Sequence, residues 1–150
     1  METTIQTLKA GLKTGDRLLG IDMGSKTIGL AMSDITRTIA TPLETIRRTK
    51  FGVDVERMRD IVNEHGIAGF VLGLPMNMDG SEGPRCQSTR AFAENLLGKI
   101  DLPLAFWDER MSTQAVTRTL IEADVSRKGR KQVVDKMAAA FILQGALDAY

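Results

Sequence analysis

Residues 17–33 read RLLGIDMGSKTIGLAMS, and the pattern of this stretch decides the fold. Leu18-Leu19-Gly20-Ile21-Asp22 is a short apolar run of the buried-strand type, and Gly24-Ser25-Lys26-Thr27 has the composition of a turn. Ile28-Gly29-Leu30-Ala31-Met32-Ser33 then returns as a second strand beside the first. A third strand is expected from Ala40 to Ile46, with Pro42 suited to a sheet edge because proline cannot donate to a ladder. The chain thus opens its folded part with an antiparallel meander, and an acid, Asp22, ends the first strand.

Downstream the period changes. Val53, Val55, Met58, Ile61 and Val62 fit one face of a helix that ends at His65, with Gly66 as its C-cap. Ala68 to Leu74 is a continuous apolar run stopped by Pro75, as expected of a central parallel strand covered on both faces. A loop dense in turn formers, Pro75 to Pro84, leads to a helix from about Arg85 to Leu97. Leu104 to Trp107 reads as another strand, ending in Asp108-Glu109-Arg110, and Ser112 or Thr113 is placed to cap the next helix. After a basic loop, a last helix is expected from about Gln132 to Asp148, with Val133, Met137, Ala140, Phe141 and Leu147 facing the core and Ala138-Ala139-Ala140 permitting close approach to the sheet. Upstream, residues 1–16 carry no sustained periodicity and are expected to be a flexible extension. The order βββαβαβα predicts one α/β domain over residues 17–150, with a mixed five-stranded sheet flanked by helices.

The bulk numbers agree with one such domain: 150 residues, 43% hydrophobic, suffice for a core without disulfides. Cys86 is the single cysteine and His65 the single histidine, so no Cys/His cluster for structural zinc exists and a reducing compartment is expected. METTIQTLKAGLKTGDR has no apolar core followed by a cleavage site, and no apolar run is long enough to span a bilayer, so a cytoplasmic protein without membrane attachment is expected. Twenty Lys plus Arg against nineteen Asp plus Glu leave a formal charge of +1, which by itself announces no nucleic-acid binder. The distribution says more. Cations bunch at Arg47-Arg48-Thr49-Lys50 and at Arg127-Lys128-Gly129-Arg130-Lys131.

Acids fall at places where core architecture does not ask for them. Asp22 ends one strand, Glu109 lies just past the end of another, and Asp135 lies in the first turn expected of the alanine-rich helix. Ligands of open α/β sheets bind outside the carboxyl ends of the strands, which puts Asp22, the loop after Leu74 and Glu109 at one edge. Carboxylates gathered there repel and raise one another's pKa, and hard cations such as Mg²⁺ or Mn²⁺ remove that penalty. Asp34 and Asp108 are strand-end acids too, so spacing alone does not choose among the five, and each has a structural reading as a cap or solvated loop residue. His65 suits a helix C-terminus, where its cation complements the dipole, and Trp107 suits an anchor for the last strand.

The same residues carry a family resemblance. Leu19 to Asp34, Gly73 to Pro84, Asp108 to Thr113 and Arg127 to Gln144 resemble, in order, the motifs of the YqgF/RuvX family, described as Holliday junction resolvases and as pre-16S rRNA nucleases. The resemblance implies a ribonuclease H-like fold, a catalytic and metal-binding triad of Asp22, Glu109 and Asp135, and phosphodiester hydrolysis with Mg²⁺ or Mn²⁺. Thr27 replaces an arginine common after Lys26, and Met111-Ser112 a more usual leucine-threonine. On this reading Gly24 allows the tight turn next to Asp22, Lys26 meets a phosphate, and Asn77 and Ser81 bond phosphate, sugar or base. Arg110, Lys128, Arg130 and Lys131 follow the nucleic-acid backbone. The expected partner is a precursor ribosomal RNA or branched DNA, and the protein a monomer or a homodimer.

Two rivals come from other classes. A non-catalytic RNA-binding assembly factor would keep the fold and use only its basic surface. A nucleotide-binding phosphotransferase would share the Asp-x-Gly hairpin, but that architecture needs two lobes and this chain has room for one.

Overall fold

The computed structural model describes the backbone of residues 1–111 and 127–149, with side chains for residues 1–110 and 136–149. Its elements are β1 (Glu2–Thr3), α1 (Ile5–Ala10), β2 (Arg17–Met23), β3 (Thr27–Ser33), β4 (Ala40–Arg47), α2 (Phe51–His65), β5 (Ile67–Leu74), α3 (Pro84–Leu97), β6 (Leu104–Asp108), a 3₁₀ turn (Glu109–Met111) and α4 (Arg127–Asp148). The strands form a single sheet in the order β1-β6-β5-β2-β3-β4. The β2–β3–β4 meander is antiparallel, whereas β2, β5, β6 and β1 run parallel, so β2, β5 and β6 end at one edge.

The sheet is mixed, as the pattern predicts, but has six strands rather than five. The sixth comes from the segment expected to be flexible. Glu2 and Thr3 pair with Leu104 and Ala105, and α1 buries Ile5 and Leu8 against the sheet. Thr4 caps α1 by accepting a hydrogen bond from the Thr7 N–H. Lys9 Nζ donates to the carbonyls of Ala146, Leu147 and Ala149, closing the C-terminal end of α4, where orphan carbonyls and the negative dipole end favour a cation.

Two apolar layers enclose the sheet. On one face Leu19, Ile21, Ile28, Leu30, Phe70 and Leu72 pack under α2 and α3, and on the other Leu18, Ala31, Val71 and Ala105 pack under α4 and α1. The strands are apolar on both faces because helices cover both. Val53 differs from its expected core position: it is 61% exposed, and the residue buried beside it is Asp54. Asp54 accepts from the N–H and hydroxyl of Thr49, a cap that turns the first residues of α2 relative to the simple apolar stripe. Pro42 is on an edge strand as expected, opposite Ala31, where the β3–β4 register shifts.

The last helix begins earlier than its apolar pattern suggests. It starts at Arg127, so Lys128, Arg130 and Lys131 belong to its opening turns rather than to a loop, and Asp135 is in the third turn rather than the first. Arg, Lys and Gln are good helix formers, and Gly129 costs about 1 kcal/mol without ending the helix. Its sheet-facing stripe is Ala139, Ile142, Leu143 and Ala146, which leaves Met137 and Phe141 half-buried; Val133 lies outside the described side chains. Close approach is literal here. A Cβ on Gly20 would come within 2.7 Å of the Leu143 Cβ and 2.8 Å of the Ala139 carbonyl oxygen, so β2 and α4 meet backbone to backbone. Gly145 on α4 in turn receives the indole of Trp107, which anchors β6.

Candidate active site

Strand direction places the first two acids together. Asp22 is next to last in β2, paired with Gly29 of β3, and alternation puts its side chain on the same face as Leu18 and Gly20, the face under α4. Glu109 follows β6 in the 3₁₀ turn. Its carboxylate lies over Gly73 near the end of β5, so the two acids are separated in the sheet by one glycine-bearing strand. The Glu109 carboxyl is pushed up from 4.5 to about 7, chiefly by burial and then by the negative charge of Asp22, with Asp108 adding to the shift and the Arg85 guanidinium opposing it. This is the electrostatic signature of a site that holds more negative charge than its surroundings solvate.

Asp135 belongs to α4, one helical turn before Ala139, whose carbonyl abuts Gly20. Its side chain lies outside the described residues, as do the side chains of Lys128, Arg130 and Lys131. The helix C-terminus is held by Lys9 of α1, whose neighbour Leu8 lies against Gly69 near the start of β5. The helix therefore heads from the carboxyl edge of the sheet back toward the strand starts.

The other strand-end acids have different duties. Asp34 is at the opposite edge, where its carboxylate accepts from the N–H groups of Thr38 and Ile39 and from the Thr36 hydroxyl, closing the β3–β4 turn. These bonds hold its pKa down at about 2. Asp108 is at the right edge but is occupied by Arg110, which donates Nε to Oδ2 at 2.7 Å and its backbone N–H to Oδ1 at 3.0 Å. The Arg110 guanidinium lowers the Asp108 pKa.

Arg110 also donates Nη1 to the Met78 carbonyl at 3.4 Å, so it ties the 75–83 loop to the end of β6 instead of standing free for a phosphate. Within that loop the Asn77 N–H donates to the Ser81 carbonyl at 2.9 Å, and Gly80, with φ +88°, turns the chain so that its N–H meets the Asn77 carbonyl at 2.9 Å. Asn77 Nδ2 donates to Ser81 Oγ at 3.0 Å, and Ser81 donates both N–H and hydroxyl to Asp79. Asn77 and Ser81 thus shape the loop with the same groups expected to bond a substrate. The loop, the start of α3 and Glu109 enclose a cleft of about 330 Å³, lined also by Arg85 and Met78.

Across Asp22 lies the β2–β3 turn. Gly24 donates its N–H to the Thr27 carbonyl at 2.8 Å, a closure that a side chain would crowd. Lys26 is exposed at the tip. Arg48 donates Nη1 to the Gly24 carbonyl at 2.7 Å and props this turn from β4. Motif and spacing do not single out Arg48 and Arg85 as site residues; the available signal is their position, directly after the end of a strand and directly after Pro84 at a helix start. His65 sits at the far end of α2, and Cys86 is fully buried, so neither reaches the carboxylate edge.

Gly73 has a specific duty in this arrangement. A Cβ there would collide with Glu109 Oε2 and come within 2.5 Å of Ile142 Cδ1. Gly73→Ala is expected to displace the Glu109 carboxylate and reduce kcat for the reaction at this site by about a hundredfold, the scale of a ~1 Å misplacement, while leaving KM nearly unchanged. Steady-state rates check it, and a full-rate variant would show that the Glu109 position is not constrained by β5.

Comparison with known proteins gives the chain relatives over nearly its whole length. A 141-residue match of 65% identity, covering 94% of this chain and 91% of the relative, links it to a protein of Paramagnetospirillum magneticum named "Putative pre-16S rRNA nuclease". A relative of the same name from Ruegeria pomeroyi is 58% identical over 145 residues, covering 97% of this chain and 94% of the relative. Among solved structures, RuvC of T. thermophilus in complex with a Holliday junction substrate superposes with a TM-score of 0.53 at 12% identity, covering 84% of this chain and 90% of that one. The yeast mitochondrial Holliday junction resolvase gives 0.51 at 10% identity, covering 97% and 85%. At such identities the structural likeness concerns the fold, which is ribonuclease H-like. The family model RuvX, described as Holliday junction resolvase, matches residues 16–149, and the chain belongs to that family.

Proposed function

We infer that this chain is a metal-dependent nuclease that hydrolyses phosphodiester bonds in the 5′-end maturation of precursor 16S rRNA in the cytoplasm. The observation that carries the reading is the Asp22–Glu109 pair at the carboxyl edge of the sheet, with Glu109 raised to about 7 by burial and by its neighbour's charge. Two half-buried carboxylates offer hard oxygen donors and a concentration of negative charge, which fits Mg²⁺ or Mn²⁺ better than a soft metal. Asp22 and Glu109, with Asp135 from α4, would hold the metal. When bound there, divalent cations, two of them on this reading, would supply a water of lowered pKa and neutralise charge on the phosphate.

The chain's own residues do the rest. Arg85, beside Glu109 at the mouth of the cleft, draws a phosphate toward the carboxylates and offsets their repulsion. Arg110 keeps the 75–83 loop against β6, so that the cleft wall is set before substrate arrives. Lys26 at the hairpin tip and Lys128, Arg130 and Lys131 in the opening turns of α4 add sequence-independent backbone contacts. The names of the relatives favour a ribosomal RNA precursor, and the description of the family model supplies the second reading, cleavage of a four-way DNA junction, which would ask for a symmetric dimer where RNA trimming needs only a monomer.

The test is a panel of end-labelled substrates, precursor 16S rRNA, single-stranded RNA and a four-way DNA junction, incubated with Mg²⁺ or Mn²⁺ and again with chelator. Metal-dependent cutting of the precursor at its 5′ side is the expected result. Preference for the junction would transfer the reading to recombination. Binding without cutting of any substrate would make the protein an assembly factor.

A further inference from the structure

The basic run Arg47-Arg48-Thr49-Lys50 has no part in the site described so far except through Arg48. Structurally it is not a random solvated stretch. It joins the end of β4 to the start of α2, and β4 ends at the same edge as β2, because both lie antiparallel to β3. Arg47 is in register with Thr27, and the Arg48 N–H donates to the Lys26 carbonyl at 2.9 Å, so Lys26, Arg47, Arg48 and Lys50 form one exposed corner beside the Asp22 turn.

Among the described residues Arg57 pairs with Glu44, Arg59 with Glu56, Arg90 with Glu82 and Glu2, and Arg110 with Asp108. No described carboxylate pairs with Lys26, Arg47, Arg48 or Lys50; of the acids flanking the run, Glu44 is taken by Arg57, and Asp54 is buried and turned to Thr49. Four like charges held together by backbone pairing and left uncompensated repel one another, a cost that a polyanion removes. In sheet order Asp22 of β2 lies between this corner and the β5–β6 side, where Glu109 lines the Arg85 cleft.

We propose that the Lys26, Arg47 and Lys50 corner is a second phosphate-binding surface, which grips the sugar-phosphate chain of the substrate on the opposite side of the cut from Arg85. The inference rests on the nuclease reading above and adds a footprint to it. Two strand spacings of ~4.8 Å separate β4 from β2, which sets the corner about 10 Å from Asp22. At a rise of about 3.4 Å per nucleotide that is roughly three nucleotides from the cleaved bond. Arg48, whose guanidinium is committed to the Gly24 carbonyl, fixes the corner to the Asp22 turn.

The experiment measures binding by fluorescence anisotropy, in chelator so that nothing is cut, with a labelled single-stranded RNA and a labelled DNA duplex across a salt series. The proteins are wild type, the double variant Arg47→Gln/Lys50→Gln, and the control Lys13→Gln/Lys99→Gln, which removes the same charge from exposed positions near the strand starts. The corner variant is expected to bind about tenfold more weakly at low salt, and its log K against log salt slope to fall by about 1.4 on single strands. The control is expected to match wild type, and the probe bound more tightly identifies RNA or DNA as the source of the phosphates. A corner variant with the wild-type slope overturns the second surface while leaving the nuclease reading intact. Equal losses in variant and control reduce the effect to bulk charge and overturn it as well. If wild type binds neither probe, the nuclease reading falls and takes the corner with it.

Discussion

An Asp22→Asn protein is expected to fold normally, bind nucleic acid in chelator at least as well as wild type, and lose about a thousandfold in kcat with Mg²⁺. The magnitude follows from the several kcal/mol that charge stabilisation by a metal contributes, at 1.36 kcal/mol per factor of ten. Asparagine keeps the shape of the side chain and its amide can still accept, so the change isolates the charge. Because Asp22 is the second cause of the raised Glu109 pKa, the same variant should bring the Glu109 carboxyl down toward its ordinary range, which carbon-detected NMR titration would read. Cleavage within tenfold of wild type would remove Asp22 from the chemistry. An unmoved Glu109 titration would show that burial alone, the larger cause, accounts for the shift.

Much of this site is legible in the sequence because strand ends are. The 17–33 hairpin announces itself by its apolar runs and turn chemistry, and the direction of each strand then comes from connection lengths, which is enough to bring Asp22 and Glu109 to one edge. Sequence does not choose among strand-end acids. Asp34 and Asp108 also end strands; the antiparallel course of β3 puts Asp34 at the opposite edge, and Asp108, at the same edge as Glu109, is set apart only by its partner Arg110. Side-chain commitments over long separations are equally silent: nothing near Arg110 foretells its bond to the Met78 carbonyl, 32 residues away.

Short elements escape pattern reading for a related reason. Two residues of β1 and six of α1 are below the length at which a period can be read, and their order comes from Leu104 pairing and from Lys9 on the far helix end. The start of α4 is hidden because Gly129 and a dense charge run look like a loop, although the same arginines and lysines have high helix propensity. Both cases concern positions where tertiary context decides between two locally acceptable states.

Glu109→Gln is expected to abolish metal-dependent cleavage and, at pH 8 without metal, to make the protein more stable than wild type. The sign comes from the raised pKa. In the unfolded chain Glu109 titrates near 4.5, and in the folded one near 7, so between these values the native state holds the extra proton. Its contribution is most favourable below 4.5 and is lost as pH rises toward 7; above that, wild type carries the full penalty of a buried carboxylate beside Asp22. Linkage sets that penalty at no more than about 3–4 kcal/mol, or ~6–16 °C in Tm for a domain of this size. Glutamine does not titrate, so the two melting curves should coincide near pH 4.5 and separate progressively up to pH 8. Mg²⁺ should then raise the Tm of wild type at pH 8 and leave the variant unmoved, since the energy stored in the charge pair is what a cation recovers on binding. Parallel pH profiles for the two proteins would refute the electrostatic origin of the site. Divergent profiles with no response to Mg²⁺ would keep the strained pair and reject the metal.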